Sequence, residues 1–240
     1  MSRVLTRRLL PTGLVALVQM SEIADGDFAV ADSDGLLSER RCVLTGTDGA
    51  ESVWTWLTQT HGTTVVAVEK PGGGAGSVGD AAVTMQHGCI LSVQVADCAP
   101  VALIADEGGL AVVHAGWRGL AEGVLESASG ALRNLVDGPQ RAVVGPCIHP
   151  CCYEFDSRDL AELIEQLGWD ARKKTRGGRP ALDLPGAVVA ALERIGVVDL
   201  EVDEVCTYCD DRYWSYRATG TTSRQAMVVE LQAGKVQFVS

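Results

Sequence analysis

Basic residues are scarce in this chain. Its 240 residues carry 20 lysines and arginines against 31 aspartates and glutamates, a formal net charge of −11. Binding to a phosphate backbone needs clustered Lys and Arg, so nucleic acid is excluded as the main partner. A small anion in a locally basic pocket is not excluded. No apolar run is long enough to cross a bilayer, so no membrane-spanning role is expected. There is no internal repeat. Histidine is limited to His61, His87, His114 and His149, so any imidazole-based site draws on a small set.

An export signal in its usual form is also missing. The opening "MSRVLTRRLLPTGLVALVQM" pairs a basic start with an apolar stretch, but Pro11, Thr12 and Gly13 interrupt it. No small-x-small cleavage site follows. Leu14 to Met20 therefore reads as the first strand, and the chain is expected to be cytoplasmic. The eight cysteines (42, 89, 98, 147, 151, 152, 206 and 209) then read as reduced thiols.

The remaining pattern is globular, with 47% hydrophobic and 21% charged residues. Segments 63–70, 89–98, 100–106 and 110–116 are rich in Val and Ile and bounded by Gly, Pro or Asp, which predicts strands. Leu120, Val124, Ala128, Leu132 and Leu135 recur at helical spacing, ended by Gly138-Pro139. "AVVGPC" resumes a strand. Helices are predicted at about 157–168, capped by Asp156 or Ser157, and at about 185–195 with Pro185 in the first turn. "VVDLEVDEV" alternates as a strand, and "QAMVVEL" with "KVQFVS" should close the chain as a hairpin. Irregular alternation of strands and helices implies an α+β class in one domain spanning 1–240. The glycine-rich "PGGGAGSVGD" (71–80) reads as a hairpin loop, and "RKKTRGGR" (172–179) as a solvated basic loop or an anion-attracting lid.

Three chemistry-bearing residues end or begin predicted strands. His61 sits beside Gly62, Cys98 follows Asp97, and His114 closes "LAVVH" before Ala115-Gly116. Two imidazoles and a thiolate suit zinc, leaving the fourth tetrahedral position open, as catalytic sites do. One copper ion with a weak axial ligand would also fit His2Cys. Arg118 lies in a Gly-Trp-Arg-Gly turn that opens a helix, where it could hold phosphate or carboxylate bidentately. A surface Arg capping carbonyls is the plainer reading. "CTYC" (206–209) and "CIHPCC" (147–152) offer a rival thiolate set, but CxxxCC departs from the usual structural zinc spacing. Core thiols are the expectation for Cys147, Cys151, Cys152, Cys206 and Cys209.

The motifs "QTHG", "GDAAVT", "ADCAPVAL", "HAGWRGLAEG", "GPCIHPCCYEF", "LDLP", "CTYC" and "SYR" occur in the order found in the YfiH/DUF152 family. The chain is similar to that family from about residue 54 to 217. The resemblance implies a four-layer α/β/β/α sandwich with mixed sheets, and zinc held by His61, Cys98 and His114. It implies phosphorolysis of purine nucleosides (adenosine, inosine, methylthioadenosine) and deamination of adenosine, with purine nucleoside and phosphate as partners. It also implies a pocket arginine, matched by Arg40 or Arg41, the latter preferred as a binding residue. The family's Phe-Thr-x-Arg-x-Gly-Gly-Val-Ser segment is absent near the start, and its Thr-Gly-Arg becomes Thr222-Ser223-Arg224. Both departures bear on the substrate pocket and not on the metal ligands.

The family's laccase name fails on counting, since four histidines are too few for coupled copper centres. In the phosphorylase reading Arg118 clamps phosphate and Asp97, or next Asp80, handles a proton or supports a ligand. Two alternatives use the same residues: a thiol hydrolase with Cys98 activated by His114 or His61, cleaving an amide of a peptidoglycan precursor, and a non-catalytic purine-binding protein that keeps the metal. A monomer is expected.

Overall fold

The computed structural model describes residues 3–31, 34–46, 53–197 and 199–234. The chain starts with an antiparallel hairpin of β1 (Arg3–Leu9) and β2 (Leu14–Met20), so the expected first strand is the second. Pro11, Thr12 and Gly13 make its turn, with Gly13 at a φ of 81°. The basic residues at its start meet acids across the fold: Arg3 pairs with Asp203 and Arg8 with Asp199 and Glu201.

Next come α1 (Leu37–Thr45), β3 (Trp54–Thr55), β4 (Val65–Ala67), β5 (Ala81–Thr84), β6 (Ile90–Val95), β7 (Ala99–Ala105) and β8 (Gly109–Ala115). The predicted long helix is two helices, α2 (Trp117–Glu122) and α3 (Val124–Leu135). Gly123 breaks it by taking a φ of 91°, which any side chain would strain. The apolar periodicity survives the break, since Leu120, Val124, Ala128 and Leu132 are all buried together. Then follow β9 (Gln140–Val144), α4 (Ser157–Leu167) and the β10 (Arg172–Lys174) and β11 (Pro180–Leu182) hairpin. The chain continues through α5 (Leu184–Arg194), β12 (Asp199–Val202), α6 (Tyr216–Thr219) and β13 (Gln225–Ala233). Asp156 caps α4 as expected, accepting from the Arg158 amide.

Two mixed sheets form. One has the order β1-β2-β13-β6-β3, the other β12-β9-β7-β8-β5-β4. "QAMVVEL" lies in β13, which pairs with β2 and β6; "KVQFVS" falls outside the described residues. The 71–80 loop is not a hairpin, because β4 and β5 run parallel and it returns the chain between them.

Alternation explains the layering. Along β8, Leu110 and Val112 face the other sheet while Ala111, Val113 and Ala115 face the helices. Strands buried on both faces read as unbroken apolar runs, which is why 100–105 and 110–113 show no polar alternation. One apolar cluster joins the six-stranded sheet to α2, α3, α4 and α5, and a second fills the space between the sheets. A third puts Leu37 and Leu44 of α1 on Ile90, Ala226 and Val228 of the five-stranded sheet. The result is the expected α/β/β/α order. His114 falls on the between-sheet side of β8, in step with Leu110 and Val112.

Candidate metal centre and substrate cavity

The ends of β6, β7 and β8 and the turn before β4 converge. His61, Cys98 and His114 each offer a ligand atom, and these atoms all lie within 4.8 Å of one another. His61 Nε2 is 3.8 Å from Cys98 Sγ, and the two imidazoles meet edge to face with centroids 4.7 Å apart. Two of these positions are set by unusual backbone. His61 has a φ of 62° and Asp97, next to Cys98, a φ of 91°, the only non-glycine residues with positive φ among those described. Such conformations cost about 1–3 kcal/mol each and persist only where surroundings enforce them.

Asp80 enforces the first of them. It is fully buried, and its Oδ1 contacts His114 Nδ1 at 2.8 Å and accepts the His61 amide at 2.9 Å. Its Oδ2 accepts the Gly62 amide, the Thr60 amide and the Thr60 hydroxyl at 2.8, 3.1 and 3.1 Å. One carboxylate therefore fixes the turn carrying one imidazole and the tautomer of the other. With Nδ1–H donated to Asp80, His114 presents its Nε2 lone pair to the cluster, the usual support for a metal-bound histidine.

Burial alone would raise the Asp80 pKa, but the His114 ring and the backbone N–H groups of Gly62 and Thr60 hold it well below the carboxylate range. Burial likewise opposes ionisation of Cys98, yet the adjacent His114 outweighs it and lowers the thiol. His114, disfavoured as a cation by burial, is raised by Cys98 and Asp80. A thiolate facing imidazoles is the donor set a borderline-soft divalent ion takes.

Glycine makes the approach of these side chains feasible. A Cβ on Gly116 would stand 2.7 Å from His61 Cδ2 and 3.2 Å from Cys98 Sγ. Gly116→Ala is therefore expected to weaken metal affinity about 10–100-fold, the range for disturbing a ligand's support. Competition against a chelating dye measures it, with circular dichroism showing the fold retained.

The cluster opens into a cavity of about 450 Å3, within the range of small-molecule sites. Arg118 lines it, with its guanidinium 4.3 Å over the Trp117 ring. Asp97 also reaches it, but Thr207 donates to its Oδ1 and the Arg217 amide to its Oδ2, both at 2.7 Å. Its carboxylate is thus committed to holding two loops, and the residue touching the imidazole is Asp80.

Arg41 is not among the lining residues. It is buried in α1, with its guanidinium 5.5 and 5.8 Å from the Trp54 and Trp56 rings. Arg40 turns to Asp34 and the Asp27 carbonyl. The arginines that do line the cavity with Arg118 are Arg217 and Arg224, and Tyr153 and Tyr216 add aromatic walls. Gln94 lines it too, and its buried Oε1 has no partner among the described residues, an acceptor available to a ligand. Arg217 and Arg224 lie within "SYR" and the Thr-Ser-Arg segment, but only folding brings them to the cavity beside the His61/Cys98/His114 cluster. Gln94 carried no signal beyond its place near the end of β6, three residues before Asp97.

A family model described as multi-copper polyphenol oxidoreductase laccase matches residues 20–232. A purine nucleoside phosphorylase of Streptomyces coelicolor is 38% identical over 227 residues, covering 91% of this chain and 92% of that protein. Another from Deinococcus radiodurans is 37% identical over 178 residues, covering 73% of this chain and 69% of that one. The crystal structure of YlmD from Geobacillus stearothermophilus superposes with a TM-score of 0.78 at 25% identity, covering 92% of each chain. That of YfiH from Bacillus licheniformis gives 0.78 at 22%, covering 94% of this chain and 99% of that one. A double-sheet sandwich with a His/Cys/His cluster at its strand ends thus finds its class. The chain belongs to the YfiH/DUF152 laccase-domain family and is related to purine nucleoside phosphorylases.

Proposed function

We propose that the chain is a zinc-dependent purine nucleoside phosphorylase that also deaminates adenosine. The observation that carries this reading is the union of a His61/Cys98/His114 donor set with a cavity bearing Arg118, Arg217 and Arg224 in an otherwise acidic chain. Relatives named purine nucleoside phosphorylases, aligned over most of their length, point the same way. The donors fit the ion: Asp80 engages Nδ1 of His114 and so leaves Nε2 to face Cys98 and the cluster, and Cys98 is predisposed to the thiolate. Bound zinc would supply Lewis acidity and an activated water.

The chain's own residues supply the rest. Arg118 and Arg217 bind phosphate, and the aromatic walls Trp117, Tyr153 and Tyr216 hold the purine. A phosphate oxygen then forms a bond to ribose C1′ as the C1′–N9 bond breaks. The electron pair leaves on the purine, which takes a proton. Gln94 Oε1 accepts from a ribose hydroxyl or the base. Arg118→Ala should raise the KM for phosphate about 10–100-fold, since a charge-assisted hydrogen bond contributes roughly 1.5–3 kcal/mol. Steady-state kinetics at varied phosphate and bound-metal analysis check it, with metal content unchanged.

Multicopper oxidation is not supported, because His87 and His149 line neither the cluster nor the cavity. A thiol hydrolase is the second reading, favoured by the lowered Cys98 thiol beside His114, whose protonation Cys98 and Asp80 favour against burial. The deciding assay is release of free base from adenosine, inosine and methylthioadenosine with and without phosphate and chelator. Phosphate-dependent release that chelation stops and zinc restores supports the proposal. Turnover indifferent to chelator but stopped by alkylation refutes it.

A further inference from the structure

Four cysteines lie together away from the cavity. Cys151 and Cys152 sit in the turn after β9, Cys206 and Cys209 in the loop after β12, and their sulfurs all lie within 4.8 Å of one another. Cys151 Sγ is 3.7 Å from Cys206 and 3.8 Å from Cys209, and Cys152 is 3.2 Å from Cys209. Zinc at about 2.3 Å from each sulfur spaces tetrahedral thiolates roughly 3.8 Å apart. We propose that Cys151, Cys152, Cys206 and Cys209 form a second metal centre, a closed tetrathiolate zinc site separate from the His61/Cys98/His114 cluster.

The surroundings suit a metal better than packed thiols. Cysteine as core filler is fully enclosed, as Cys147 and Cys89 are, whereas Cys151 and Cys152 are half-buried and Cys209 is exposed. No pair is bonded as a disulfide, which needs sulfurs about 2.05 Å apart. An iron–sulfur cluster needs its thiolates spread around two or more irons, wider than this quartet allows. The His149 amide donates to Cys206 Sγ at 3.3 Å, a bond that stabilises sulfur bearing negative charge. Four thiolates around a divalent ion leave a net charge of −2, and Arg176 from the basic 172–179 segment supplies compensation. Its amide donates to the Cys151 carbonyl at 3.1 Å and its side chain reaches Cys209.

The vicinal pair hides the site from spacing rules. Cys206 and Cys209 form an ordinary CxxC turn, closed by the Cys209 amide on the Cys206 carbonyl. The partner motif supplies adjacent residues because the first cysteine of "CIHPCC", Cys147, is turned into the core. A parallel bridge between Cys147 and Cys206 sets the two turns side by side.

A metal here would stiffen one wall of the cavity. The 151–152 turn leads directly into Tyr153, and the 206–209 loop carries Thr207, whose hydroxyl holds Asp97. The Ile148 amide holds the Asp97 carbonyl at 2.9 Å. Both turns therefore grip the strained residue beside Cys98, and binding would release the four thiol protons to solvent while locking that grip.

The proposal does not depend on the reaction catalysed at the first cluster. The full chain, produced in zinc-supplemented medium and purified under reducing conditions, should hold two zinc ions by elemental analysis. Cys98→Ala should hold one, and so should Cys206→Ser/Cys209→Ser. If the double variant does not fold, Cys98→Ala alone decides, by keeping one zinc. Its cobalt(II)-substituted form should also show tetrahedral thiolate-to-cobalt absorption. One zinc in the wild type and none in Cys98→Ala would overturn the proposal, as would a Cys152–Cys209 or Cys151–Cys206 disulfide in the intact-mass spectrum of freshly isolated protein.

Discussion

Asp80→Asn should lower metal occupancy of the His61/Cys98/His114 cluster by at least about 100-fold while leaving the chain folded, beyond the usual effect of losing a ligand's supporting carboxylate. Five donors converge on the carboxylate, three on Oδ2 and two on Oδ1. An amide has one acceptor oxygen, and it satisfies the larger group by taking the Oδ2 position. Its NH2 then faces His114 Nδ1 and the His61 amide. His114 can answer only by making Nδ1 the acceptor, which moves its proton to Nε2 and removes the lone pair a metal needs. The His61 amide loses its acceptor, leaving a part-buried N–H unpaired at a cost of up to about 1–3 kcal/mol. For a chain of this size each kcal/mol lowers Tm by about 2–4 °C, so a drop of several degrees should accompany the metal loss. Calorimetry and dye competition on the same preparation test both, and wild-type metal affinity in Asp80→Asn would refute the tautomer argument.

The convergence of His61, Cys98 and His114 was legible because these residues sit where strands stop. An apolar run ending on His114 and then glycine has no packing rationale, and the structure shows why glycine follows: a Cβ on Gly116 would enter the His61 ring. The layered α/β/β/α order was legible for a similar reason, since β7 and β8 read as continuous apolar runs only if covered on both faces. The role of Asp80 is not legible from its place in the sequence. Its importance comes from the parallel crossover that lays the end of the 71–80 loop against residues 60–62, a return the glycine composition suggested would be a hairpin.

Arg41 lies elsewhere than the cavity lining. A cationic residue upstream of the first histidine looked like a pocket residue, but α1 packs on the outer face of the five-stranded sheet. There Trp54 and Trp56 draw the guanidinium onto their rings, and aromatic contact can hold a buried Arg without any ligand. Arg217 and Arg224 reach the cavity instead, from segments more than a hundred residues beyond His61. Sequence proximity carried no information about which arginine would face the site. The same holds for the thiols of 151–152 and 206–209, whose juxtaposition depends on a strand pairing between distant loops.

Cys98→Ala should abolish the proposed phosphorolysis, with a fall of about 10³-fold or more, because the proposed metal-assisted stabilisation, several kcal/mol, would go with the only thiol of the His61/Cys98/His114 cluster. That loss alone does not separate a metal ligand from a nucleophile, since alanine is neither. Cys98→Asp does. A carboxylate is close to a thiolate in size, binds zinc at about 2.0–2.2 Å against about 2.3 Å for sulfur, and joins two histidines in known catalytic donor sets. It cannot serve as the thiol nucleophile that attacks an amide, forms a thioester as the amine leaves, and is released as thiolate when water cleaves it. Turnover in Cys98→Asp at least about tenfold above Cys98→Ala, rising with added zinc, is the result expected of a ligand. Equal inactivity of the two variants, with zinc bound to the aspartate protein, would assign Cys98 to covalent chemistry. Asp80 makes the comparison clean, because its grip on His114 and on the His61 turn does not pass through residue 98 and holds both imidazoles in place in either variant.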